Sequence, residues 1–109
     1  MGKYLSDSIA IVSTIDPGAI QNDTTVWSDF VDMSLFGELT NIIEVGDLDT
    51  TVTCTLFENT AANNSGATAI SGKSAIEIAA DDDDKQVILG VQDQECSKRY
   101  VGLQCVIGN

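Results

Sequence analysis

Between Thr50 and Glu58 the chain alternates without a break. Val52, Cys54 and Leu56 fall on one side, and Thr51, Thr53, Thr55 and Phe57 on the other. Side chains two apart share one face of a strand, so the pattern specifies a β-strand with two unlike faces. The same period returns at Val101, Leu103, Cys105 and Ile107 within Tyr100–Ile107, and at Val87, Leu89 and Val91 within Gln86–Val91. Four further segments read as strands. They are Ser8–Ile15, with Ile9, Ile11, Ser13 and Ile15 on one side; Thr24–Val31, which carries Trp27; Leu39–Val45; and Ser74–Ala79, with Ile76 and Ile78. Thr, Val, Ile, Ser and Gly dominate these stretches and favour strands and turns over helix. Only "SDFVDMSLFGEL" has helix-like spacing, with Phe30, Met33 and Phe36 three residues apart. It is read as a strand ending near Met33, followed by a turn.

The breaks between strands have their own chemistry. "DPG" closes the first, where Pro17 fixes φ and Gly18 tolerates positive φ. "GDLD" joins Leu39–Val45 to Thr50–Glu58 as a short hairpin-like connection. "NTAANNSGATAISG" is long, small and polar, and belongs on the surface. Many short strands separated by turn signals specify an all-β domain, a β-sandwich or a small barrel. Residues 1–19 form an N-terminal arm or edge strand, and residues 20–109 the sandwich domain.

Length and charge narrow the picture. A chain of 109 residues makes one domain with one modest core. Seventeen acidic against five basic residues, a net charge of -12, repel phosphate, so no nucleic-acid partner is expected. No apolar run approaches the ~18 residues of a membrane span, and no signal peptide is read at the start. No membrane partner is expected. The three cysteines show no CxxC spacing. Cys54 and Cys105 sit in apolar strand registers and read as buried thiols, with a disulfide between them as the lesser alternative, and Cys96 as more exposed.

Candidate chemistry is thin. "DDDDK", Asp81–Lys85, offers hard oxygen ligands, but consecutive aspartates repel and the spacing of a calcium loop is absent. It reads as a solvated turn, and no metal or cofactor is expected. Glu44, Asp47 and Asp49 offer carboxylates for acid–base work, yet in "EVGDLDTT" they serve equally as turn residues. The absence of histidine removes Ser–His and Cys–His catalysis and argues against zinc. "SGKS" lacks the upstream glycine of a phosphate loop. Trp27, the one tryptophan, reads as a core anchor, with an interface role as the lesser alternative. "KRY" places Lys98 and Arg99 at a strand start.

Three segments together, "TTVWSDFVDMSLFGELTNIIEVGDLDTTVTCTLFENT", "SGKSAIEIA" and "KRYVGLQCVI", carry a likeness. Their order, over roughly residues 24–107, resembles that of small bacteriophage structural proteins, in particular capsid decoration (cement) proteins. The resemblance implies a jelly-roll-like β-sandwich and a non-enzymatic role. Such a protein sits on the outer capsid surface of the virion, is made in the host cytoplasm, and bridges major capsid protein subunits, often as a homotrimer. Proteins of this kind often continue with another strand. The sandwich is then expected to be completed by the N-terminal segment or by a neighbour. The expected partner contacts are Tyr4, Ile9, Ile11 and Ile15 in the N-terminal segment, Asn63 and Asn64 in the polar loop, and Lys98 and Arg99. The alternatives are a tail or adhesion module that binds carbohydrate through "NTAANNSG", and a small enzyme built on the carboxylates around Asp47.

Overall fold

The computed structural model describes residues 24–44, 51–73, 76–79 and 86–108. Among these residues eight strands run in chain order: β1 Thr24–Trp27, β2 Val31–Asp32, β3 Glu38–Glu44, β4 Val52–Asn59, β5 Thr68–Ala69, β6 Ile76–Ile78, β7 Gln86–Gln92 and β8 Tyr100–Ile107. A 3₁₀ turn, Asp93–Glu95, leads from β7 towards β8. Among the described residues every pairing is antiparallel. In the larger sheet β8 is central, flanked by β1 and β2 on one side and by β4 on the other; β4 carries β5 and β6 on its far edge. The smaller sheet is β3 against β7. The protein is therefore an all-β sandwich.

The alternation in the sequence decides which faces meet. Val52, Cys54 and Leu56 of β4 and Val101, Leu103 and Cys105 of β8 point inward and are buried. Ile43, Leu89 and Val91 answer from the smaller sheet, and Met33, Ile70 and Ile78 fill the margins of one continuous core. Leu56 is 1% exposed and stands directly opposite Leu103. Apolar burial of this kind is the main favourable term in folding, at about 25 cal/mol per Å².

Two sequence expectations need correction here. The strand read over Thr24–Val31 is interrupted at residues 28–30. Four steps along the chain from Trp27 to Val31 span only three on β8, from Gln104 to Val101. One extra residue is accommodated, which is a β-bulge. Ser28 holds it in place: its backbone N–H donates to the Leu103 carbonyl at 2.9 Å, and its Oγ accepts the Leu103 N–H at 2.8 Å. The bulge reverses the facing. Trp27 pairs with Gln104 on the outer face, whereas Val31 pairs with Val101 and is buried. Trp27 is thus no core anchor; it stands outside the core cluster, half-buried on the other side of the sheet.

The second correction concerns "GDLD". β3 and β4 are not hairpin partners but belong to different sheets, β3 pairing with β7 and β4 with β8. Each strand has an apolar inner side, and placing them in opposite sheets lets those sides meet across the core rather than share one layer. The expected strand Ser8–Ile15, the arm 1–19, and the acidic turn Asp81–Lys85 lie outside the described residues.

Cys54 and Cys105 face one another across β4 and β8 with sulfurs 3.7 Å apart, as free, buried thiols. The hydrogen bond with Cys105, and then burial, push the Cys54 thiol far above its ordinary range. Cys96 is half-buried, and its thiol is also raised, by burial and by Glu58, Glu95 and Asp93 around it. In native protein at pH 7, a thiol reagent should label Cys96 first and slowly, and the core pair only on the timescale of unfolding. Fast modification of all three, read by mass spectrometry, would contradict this placement.

Candidate functional site

The outer face of the larger sheet carries an aromatic cluster. Trp27 meets Phe57 edge-on, with centroids 5.0 Å apart and planes at 71°. Phe30 lies beside Trp27 at 6.0 Å with the planes only 33° apart. Gly102 makes room for it. A Cβ on Gly102 would come within 2.5 Å of the Phe30 ring, so the ring occupies space that only glycine leaves free.

The polar loop after β4 forms the facing wall. Asn59 is 5% exposed at the end of β4, and its Nδ2 donates to the carbonyls of Asn63 at 2.7 Å and Ser65 at 2.8 Å. The Asn63 side chain accepts the Ser65 N–H at 3.0 Å in an Asx turn, and Gly66 takes φ 76° as the loop reverses. This pinning sets Ala62, Asn63 and Asn64 opposite residues 27–30, with an open cleft of about 280 Å³ between them. Two of the expected contact residues, Asn63 and Asn64, are therefore brought to Trp27. Sequence reading missed the aromatic partner because it read no bulge; the signals were Ser28 and the "VG" of Val101–Gly102.

Lys98 and Arg99 are engaged within the protein. Lys98 Nζ donates to Thr68 Oγ1 at 3.0 Å. Arg99 grips Asp32 with two bonds, Nε to Oδ1 at 2.8 Å and Nη2 to Oδ2 at 2.6 Å, and sits 5.3 Å from the Tyr100 ring centre. The turn that carries them is tied to the core edge by Glu58, 5% exposed, whose Oε1 accepts the N–H groups of Ser97 at 2.7 Å and Lys98 at 3.2 Å. Tyr4, Ile9, Ile11 and Ile15 lie outside the described residues.

Arg99, then the Ser34 hydroxyl, hold the Asp32 carboxyl well below its ordinary value of 3.8. A carboxyl depressed on folding favours the native state above its unfolded value, and that contribution fades as pH falls below it. Carbon-detected NMR titration should therefore find Asp32 ionised well below pH 3.8. Arg99→Ala should move it back up; an unmoved titration would mean that Arg99 is not the cause.

The outer face of the smaller sheet is different. Ile42 and Ile88 are direct cross-strand partners there, 63% and 64% exposed. Glu44 and Gln86 pair beside them, with Gln86 Nε2 donating to Glu44 Oε1 at 2.7 Å. Asp47 and Asp49 lie outside the described residues, so Glu44 alone of the three carboxylates has a described place. Among the described residues no group of three or more Cys, Asp or Glu side chains is gathered to hold a metal ion. No helix there is long and apolar enough to cross a membrane. Comparison with protein-family models, with curated proteins and with solved structures finds no match to this chain.

Proposed function

We propose that this protein is a non-enzymatic virion component, a jelly-roll-like decoration protein that binds the outer surface of a phage capsid. In this reading it stabilises the shell by bridging major capsid protein subunits, itself associated as a homotrimer. The sequence resemblance supplies the class. The exposed Ile42–Ile88 pair carries the reading on the structural side: two large apolar side chains meet at the centre of an otherwise polar face. In a protein of net charge -12, such a patch fits contact with another protein better than contact with water.

The smaller sheet adds a second argument. A two-stranded sheet is marginal by itself, and among the described residues both β3 and β7 have one edge unpaired. A strand laid along either edge would satisfy its N–H and C=O groups. The segment Tyr4–Ile15, with Ile9, Ile11 and Ile15 on one side, is the proposed donor to a neighbouring chain. A stable contact of this type buries at least about 1,000 Å² in total.

Cosedimentation with particles that lack the protein tests this. The full chain should pellet with them. Ile42→Asp combined with Ile88→Asp should weaken binding at least roughly tenfold with the circular dichroism unchanged, because desolvated apolar anchors dominate interface energy. Deleting residues 1–16 should leave a folded domain that no longer stays on the particle. If the double variant binds as tightly as the parent, the smaller sheet is not the contact. If no form pellets, the capsid reading fails.

A further inference from the structure

We propose that the cleft between Trp27 and the Asn63–Asn64 loop is a binding site for a neutral hexopyranose ring, as found in uncharged glycans. The inference does not rest on the capsid reading. It starts from ring geometry. Trp27 and Phe30 both line the cleft, with ring centres 6.0 Å apart and planes 33° apart, and supply its aromatic floor. The C–H groups on one face of a pyranose carry partial positive charge and match the negative face of an aromatic ring. A quaternary ammonium ion is instead enclosed by rings set steeply around it. Phe57, the ring steep to Trp27, does not line the cleft but braces Trp27 from the side.

The opposite wall supplies the polar half of a sugar site. The Asn63 Oδ1 is occupied by the Ser65 N–H, which leaves its Nδ2 to donate. Asn64 also lines the cleft, and an asparagine amide carries both donors and an acceptor, as vicinal hydroxyls require. The wall is set before any ligand arrives, because buried Asn59 holds the loop by two bonds, and preorganisation lowers the entropy cost of binding. At about 280 Å³ the open cleft falls just below the range of ordinary ligand pockets, the scale of a small ligand such as one sugar ring. The net charge of -12 selects against sulfated or uronic-acid sugars. The cleft opens on the outer face of the larger sheet, away from Ile42 and Ile88, so both surfaces can be occupied at once.

The chain has one tryptophan, so its fluorescence reports this site directly. The full-length protein is titrated with cello-, manno- and galacto-oligosaccharides of four residues, with tetramethylammonium as the cation control. At least one neutral oligosaccharide should give a saturable change in Trp27 emission, with Kd at or below about 1 mM. Asn64→Ala should weaken that binding by roughly 2- to 10-fold, the value of one lost hydrogen bond. Trp27→Ala, followed by calorimetry, should abolish it. Should Trp27→Ala fail to fold, Asn64→Ala decides alone. The proposal is overturned if no oligosaccharide gives saturation up to about 10 mM. It is equally overturned if only tetramethylammonium binds, or if binding persists undiminished in Asn64→Ala.

Discussion

Leu56→Ala lowers stability by about 2–5 kcal/mol, the largest loss expected from any single truncation described here. Leu56 is 1% exposed in the middle of β4, with Leu103 opposite and buried neighbours on the facing sheet. Its removal leaves a cavity that two paired strands cannot close, because their register fixes the backbone on both sides. A small domain is stable by only about 5–15 kcal/mol, so the variant should stand near the edge of folding. Urea denaturation followed by both Trp27 fluorescence and circular dichroism checks this. The midpoint should fall with the slope unchanged. A loss under about 1 kcal/mol would mean that the site lies at a surface rather than between two sheets.

Gly102→Ala is the second large effect, and it reaches the candidate site. The new Cβ meets Phe30 Cδ1 and Cε1 at 2.5 Å, closer than carbon atoms approach. The ring must leave the sheet, which costs about 1–3 kcal/mol of overpacking strain and dismantles the aromatic floor. The decisive measurement is a double-mutant cycle. On a Phe30→Ala background the same Gly102→Ala change should cost almost nothing, since the space is then empty and alanine suits a strand better than glycine. Additive costs would show that Phe30 does not pack on Gly102. Oligosaccharide binding should fall with the single Gly102→Ala change, through loss of the Phe30 half of the floor.

The strands themselves were legible in the chain. The period predicts Tyr100–Ile107, the boundaries that β8 has, and the inward sets Val52–Cys54–Leu56 and Val87–Leu89–Val91 are the buried ones, apart from half-buried Val87. This follows because a strand's facing depends only on a two-residue period, which is local. The all-β class follows from the same period in five of the seven expected strands, together with β-branched content and the near absence of helical spacing.

What tertiary structure alone decided is partnership. Alternation says that β3 has an apolar side but not that β7 pairs with it, and the short "GDLD" link made β4 look like its neighbour. The placement of Trp27 failed for a related reason. One inserted residue at 28–30 reverses the facing of β2 relative to β1, and nothing in a two-residue period announces it. The bulge is specified instead by contacts far away in sequence: Ser28 bonds to Leu103, and Phe30 fills the space above Gly102. Asn63 and Asn64 could be picked out as exposed polar loop residues, but their proximity to Trp27 depends on Asn59 drawing the loop back over the sheet. Sequence determines the faces of strands because that information lies between adjacent residues. The site is made by residues some 35 apart, and only the folded chain brings them together.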